Sequence, residues 1–180
     1  MSSKHFGRAA LVCVLVGCGV DPPLLGGDAG GATGSGGNDP LGAAPTCTSG
    51  SYWSGGNDGS TRMHPGEACI ACHTARTGGD DAPAFTIAGT VYPTGHEPDD
   101  CNGATGATIV ITDANGAMFS LTPNSAGNFT STKAVALPIH AKVVVGTTER
   151  AMAAAQTSGD CNSCHTQDGA NAAPGRITLP

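Results

Sequence analysis

Phe85-Thr86-Ile87-Ala88-Gly89-Thr90-Val91-Tyr92 alternates in character with a period of two residues. The alternation places Phe85, Ile87 and Val91 on one face of an extended chain. Because β-branched and aromatic residues favour strands, the stretch predicts a β-strand with one face turned toward a core.

Four further segments of similar character follow, and turn signals separate them. Asn115-Gly116 is a strong hairpin signal, and Ala126-Gly127-Asn128 predicts another turn. Turns at this spacing predict a mainly β fold with a small antiparallel β-sandwich. The further strands are expected at residues 107–112, 117–121, 129–132 and 139–145.

Part of this pattern resembles the carboxypeptidase-regulatory-like or transthyretin-like β-sandwich. The matching stretches are Gly89-Thr90-Val91, Gly106-Ala107-Thr108-Ile109-Val110, Asn115-Gly116 and Gly127-Asn128-Phe129. The resemblance implies a structural or binding module over residues 85–147, without catalysis of its own.

Two pentapeptides flank the predicted module, and both have the pattern C-x-x-C-H. They are Cys69-Ile70-Ala71-Cys72-His73 and Cys161-Asn162-Ser163-Cys164-His165. Two thiols at this spacing reach the two vinyl groups on one edge of a porphyrin, and the next residue brings an imidazole to the iron. The pattern predicts covalent attachment of two haem groups.

These six residues resemble the haem-attachment motifs of c-type cytochromes. The resemblance implies haem c on Cys69 and Cys72 and on Cys161 and Cys164, with His73 and His165 as proximal iron ligands. Residues 47–84 and 148–180 are then two irregular or short-helical haem segments. A structural zinc site and vicinal or crossed disulfides are alternatives for the four cysteines.

The sixth iron ligands are less determined by the sequence. No Met or His follows His165, so a ligand for that iron from this chain lies upstream. Met63 or His64 is the first candidate for one iron, and Met152 is the candidate for the other. The remaining candidates have simpler explanations: His140 as a solvated strand residue, His96 at a loop tip, and Met118 in the core.

The N-terminus has the pattern of an export signal. Lys4 and Arg8 precede a short apolar run that is too short to span a bilayer. Leu15-Val16-Gly17-Cys18 resembles a bacterial lipobox, which implies a signal at residues 1–17 and lipidation of Cys18. An ordinary signal peptide is the alternative. The resemblance also implies anchoring in the cell envelope, at an outer membrane that faces the periplasm or the cell surface.

Residues 18–46 are expected to form a disordered tether, since seven glycines fall within residues 26–37. If the four pentapeptide cysteines bind haem and Cys18 carries lipid, Cys47 and Cys101 are the cysteines that remain in the mature chain. An oxidising compartment favours a disulfide between them, and two separate buried thiols are the alternative.

Composition restricts the function classes. Charged residues make up 12% of the chain and aromatic residues 4%, against about 25% charged residues in soluble domains. Without the signal, six Lys and Arg face fourteen Asp and Glu, a formal charge of −8. This charge disfavours nucleic-acid binding, and the scarcity of core-building side chains disfavours a large enzyme domain.

The sequence therefore predicts a membrane-anchored di-haem carrier of single electrons that is not an enzyme and meets a redox partner protein in the cell envelope. One alternative is a β-sandwich assembly subunit of an envelope redox complex, with haems as staples. A haem peroxidase is the other alternative, and no distal acid or base group supports it.

Overall fold

The computed structural model describes residues 47–57, 59–75 and 82–180. The predicted signal peptide, the lipidation site Cys18 and the tether at 18–46 lie outside the described residues.

The described chain is mainly β. It forms, in order, α1 (Cys69–Ala75), β1 (Ile87–Tyr92), β2 (Thr108–Thr112), β3 (Met118–Leu121), β4 (Asn128–Ser131), β5 (His140–Val145), β6 (Thr148–Ala151), a 3-10 helix (Cys161–Ser163) and β7 (Ile177–Thr178). The five strands predicted between residues 85 and 145 are all present, and the predicted fold class is confirmed.

The strands form two sheets, with orders β4-β1-β7 and β3-β2-β5-β6. All pairs are antiparallel except β1 with β7, which is parallel. The sheets extend beyond the predicted module at 85–147, because β6 pairs with β5 across a two-residue turn and β7 lies near the end of the chain.

The core lies between the two sheets. Both sheets contribute side chains to it, and alternating inward positions supply most of them. The buried apolar cluster contains Ile87, Val91, Ala107, Ile109, Ile111, Phe129, Ile139 and Val143.

Strand β1 is buried on both faces, whereas the alternation predicts one buried face. Ile87 and Val91 enter the core. On the other face, the Thr90 hydroxyl accepts a hydrogen bond from the Gly66 amide at 2.9 Å and donates to Asn128 Oδ1 at 2.7 Å. The segment before the first pentapeptide therefore covers the second face of this strand.

A disulfide joins Cys47 to Cys101, as the cysteine accounting predicts. Adjacent backbone hydrogen bonds reinforce it, including one from Trp53 N to Asp100 O at 2.7 Å. The start of the described chain is thereby fixed to the loop after β1.

Replacing both cysteines of this disulfide, Cys47→Ala and Cys101→Ala, is expected to lower the free energy of unfolding by about 2–5 kcal/mol. The bond spans 54 residues, so its loss frees a long loop in the unfolded chain. Chemical denaturation measures the change. Wild-type protein with a thiol reductant serves as the control and is expected to match the variant; equal stability of oxidised wild type and variant would contradict the expectation.

Candidate functional site

The two pentapeptides lie next to each other, although about half the chain separates them. The Ala71 amide in the first turn of α1 donates to Asp160 Oδ2 at 2.9 Å. The Asn162 side-chain amide donates to the Glu67 carbonyl at 2.9 Å. The residue before the second motif thus caps the helix that carries the first motif.

Two glycines allow the second motif to approach β1 closely. A Cβ on Gly89 would lie 2.9 Å from Cys161 Cβ and 2.6 Å from Phe129 Cζ, and a Cβ on Gly159 would lie 1.9 Å from the Thr86 carbonyl oxygen. Real Cβ atoms do not approach other atoms so closely. Both positions therefore require glycine because of contact distance.

Asn162, inside the second motif, holds the assembly together by polar contacts. Asn162 is only 1% exposed. Its Oδ1 accepts a hydrogen bond from Thr90 N at 3.0 Å, and its amide also lies 3.1 Å from Thr90 Oγ1. The side chain therefore bonds backbone groups of two other segments, and the Thr90 amide is the buried one.

Replacing this residue, Asn162→Ala, is expected to lower the free energy of unfolding by about 1–3 kcal/mol, because the buried Thr90 amide loses its partner and the hydrogen bond to the Glu67 carbonyl is removed. Thermal or denaturant unfolding of the mature protein measures the effect. Asn115→Ala, at an exposed turn position, is the matched control and is expected to change little. A similar loss in both variants would refute the network interpretation.

Arg176 is a second connection that the sequence did not indicate. Arg176 is only 3% exposed. The guanidinium donates to the carbonyls of Gly66 at 3.1 Å, His165 at 3.3 Å and Glu97 at 2.8 Å, and it pairs with Asp99 at 2.5 Å. One buried cation thus joins both motif segments to the loop after β1. No sequence pattern around Arg176 predicts this role.

The two motif histidines are held in the same way. His73 Nδ1 lies 2.9 Å from the Pro83 carbonyl oxygen, and His165 Nδ1 lies 2.9 Å from the Gly175 carbonyl oxygen. Both acceptors are ten residues further along the chain. A ring nitrogen that faces a carbonyl must donate, so Nδ1 carries a proton. In the neutral imidazole the lone pair is then on Nε2.

Burial also favours the neutral imidazole at the second motif. It lowers the pKa of His165, while the hydrogen bond to the Gly175 carbonyl acts in the opposite direction. A neutral imidazole whose Nδ1 is fixed by a carbonyl is the arrangement typical of a metal-ligating histidine.

A cavity of about 530 Å³ opens beside the second motif. Cys161, Cys164 and His165 line it, and so does Met152. Both sheets contribute apolar walls, which include Ile109, Phe129, Ile139, Val143 and Ile177. Its volume falls in the range of about 300–1,000 Å³ that is usual for small-molecule and cofactor sites.

Asp160 also lines this cavity. Its Oδ1 atom is buried without a hydrogen-bond partner, whereas Oδ2 caps α1. Burial raises the pKa of this carboxyl group, and the hydrogen bonds from the Ala71 and Ile70 amides act against the shift.

The candidate sixth ligands differ in their surroundings. Met152 directly follows β6, and its amide donates to the Ala141 carbonyl at 3.0 Å. His64 has both ring nitrogens within hydrogen-bond distance of side chains, with Nδ1 2.9 Å from Asp100 Oδ1 and Nε2 3.1 Å from Asn57 Oδ1. Met63 is half-buried, and its carbonyl accepts from Asn128 Nδ2 at 2.9 Å.

The less favoured candidates are also located. His140 is exposed on β5, as predicted. His96 is half-buried, and its Nδ1 lies 2.7 Å from the Gln167 carbonyl oxygen. The prediction that Met118 belongs to the core is wrong: the residue is 69% exposed on β3, the edge strand of its sheet. Met118 is the first residue of β3, and its cross-strand partner is Thr112, the half-buried last residue of β2.

The first thiol of each motif lies in surroundings that favour its protonated form. Burial raises the pKa of Cys69 to about 11 and that of Cys161 to about 12, and the nearby Asp160 carboxylate adds to both shifts. Catalytic cysteines have lowered pKa values, so the surroundings of Cys69 and Cys161 differ from those of a catalytic cysteine.

The arrangement of ligand atoms also bears on the zinc alternative. Among the described residues, one group of three ligand atoms lies within 4.8 Å, and it consists of Cys47, Glu97 and Cys101. Its two sulfurs form the disulfide, so they are not thiolate ligands. The pentapeptide cysteines belong to no such group in the described ranges.

Comparison of the chain with family models, curated proteins and solved structures finds no significant match. In the described part of the chain, no helix has the length and apolar character needed to cross a membrane.

Proposed function

We propose that this protein is a di-haem c-type cytochrome that carries single electrons in the bacterial cell envelope. The observation that carries the proposal is the second site, where Cys161, Cys164, His165 and Met152 line one apolar cavity. Thiols for attachment, an imidazole and a thioether are the groups that such a cofactor requires.

The residues present fit haem c at this site. The cavity has the size of a cofactor site, its walls are apolar, and His165 directs its proton-bearing nitrogen to the Gly175 carbonyl. Cys161 and Cys164 would hold the group covalently, His165 would be the proximal ligand, and Met152 the distal one. Bound haem supplies one-electron cycling of its iron.

The protein residues determine how that cycling proceeds. The hydrogen bond from His165 Nδ1 fixes the imidazole ring and raises its basicity as a ligand. The apolar wall excludes water and lowers the local polarity, which influences the reduction potential. A methionine ligand at Met152 would raise that potential relative to a second histidine.

The residues of the first motif fit a haem site of the same design. Cys69, Cys72 and His73 lie on α1, and the His73 ring lies 4.9 Å from the Phe85 ring. The Pro83 carbonyl corresponds to the Gly175 carbonyl of the other site. Because both ring nitrogens of His64 already have partners, Met63 is favoured as the sixth ligand here.

The contacts between the motifs support electron exchange between the two haems. Asp160 and Asn162 bond directly to the segment that carries the first motif. The two haems would therefore be attached to two segments that contact each other directly. Electrons would enter from a redox partner protein and pass between neighbouring groups, while lipid on Cys18 would hold the protein at the membrane.

A spectroscopically monitored redox titration of the purified mature protein tests this function. We expect two reversible one-electron transitions per chain and low-spin spectra in both oxidation states. A high-spin spectrum with turnover of hydrogen peroxide would instead favour the peroxidase alternative, and the absence of any reversible transition would reject the electron-carrier function.

A further inference from the structure

Three cationic side chains line the cavity beside the second motif: Lys142, Arg150 and Arg176. They are half of the six Lys and Arg that follow residue 17 in a chain with an excess of acidic groups. Positive charge is therefore concentrated around a mainly apolar cavity.

Two of these cations already have partners. Lys142 Nζ pairs with Glu149 Oε2 at 2.7 Å. The Arg176 guanidinium is engaged by carbonyl groups and by Asp99. Arg150 has no hydrogen-bonding or ionic side-chain partner among the described residues.

Strand register places Arg150 on the inner side of its sheet. Arg150 pairs with Val143, whose residue is 5% exposed and belongs to the core. Cross-strand partners in an antiparallel pair share a face, so Arg150 lies on the face that looks toward the other sheet. Arg150 is itself exposed, as are all residues of the edge strand β6. Met152, two residues on, lies on the same face.

We propose that Arg150 is the anchor for a carboxylate of the ligand in this cavity, namely a propionate group of the haem at the second motif. The inference rests on the proposed function. A guanidinium binds a carboxylate through two parallel hydrogen bonds, which fixes orientation as well as charge. Arg150 at the rim and His165 and Met152 beside the cavity would together orient one ligand plane.

A structural role for Arg150 is the competing explanation. β6 is an edge strand, and inward-pointing charges on edge strands prevent pairing with other chains. That role predicts an effect of substitution on self-association and none on the haem.

The test uses the mature holoprotein, with two haems first verified by intact mass. Arg150→Gln is expected to lower the reduction potential of one haem and leave the other unchanged, because loss of a cation disfavours the added electron. Arg150→Glu is expected to lower it further, and Arg150→Lys to retain most of the wild-type value. NMR of the propionate methylene groups is expected to show a change at the same single haem.

Lys133→Gln is the matched control and is expected to leave both potentials unchanged, since Lys133 is exposed and does not line this cavity. Unchanged potentials in Arg150→Gln would overturn the inference, and unchanged potentials with new self-association would assign Arg150 to edge protection. Protein without haem would reject the proposed function and this inference together, whereas two haems with unaltered potentials would reject the inference alone.

Discussion

The double variant Cys161→Ala/Cys164→Ala is expected to carry one haem per chain instead of two. Each pentapeptide supplies its own pair of sulfurs, and the two thiols of the second motif line a single cavity. Loss of both sulfurs removes the covalent attachment there and leaves Cys69 and Cys72 intact. Intact mass and pyridine haemochrome absorbance measure the number of haems.

The control for this variant is Cys47→Ala/Cys101→Ala, which removes two cysteines that form a disulfide instead. It is expected to retain two haems and to lose only stability. Two haems in the Cys161→Ala/Cys164→Ala protein, or equal losses in both double variants, would contradict separate attachment at each motif.

Met152→Ala is expected to change the second haem from six-coordinate and low-spin to a state with an open position. Met152 lines the cavity together with His165, and no described His or Met other than these two lines it. Methionine ligation raises the reduction potential, so the potential of one haem is expected to fall. EPR of the oxidised protein and its optical charge-transfer band from sulfur to iron measure the change.

Met118→Ala is the matched control, because Met118 is a 69% exposed residue on β3 outside the cavity lining. It is expected to leave both spectra unchanged. Because Met63 is the proposed ligand of the first haem, the band is expected to lose about half of its intensity. An undiminished sulfur-to-iron band in Met152→Ala would show that Met152 is not the sixth ligand of the second haem.

The strands between residues 85 and 145 were predictable because their signals are local. Alternation within β1 and the Asn115-Gly116 turn act over a few residues, and tertiary packing agrees with them. In contrast, β6 has the sequence Thr-Glu-Arg-Ala with every residue exposed. Backbone bonds to β5 hold it, so no apolar pattern marks it as a strand.

The site was predictable only in part for a related reason. The pattern of each pentapeptide is contained in five adjacent residues, and Met152 was a candidate because the chain has few Met and His residues. The contacts of Asp160, Asn162 and Arg176 join segments far apart in the sequence. A single sequence contains no local signal for such contacts, because they depend on the packed position of β1.

The proposal of two covalent haems can be tested in one step by intact-mass measurement of the protein made with haem-maturation machinery and processed at its N-terminus. The predicted result is the polypeptide plus two haem groups, retained after denaturation because thioether bonds hold them. A mass equal to the polypeptide alone, or to the polypeptide with zinc, would contradict it.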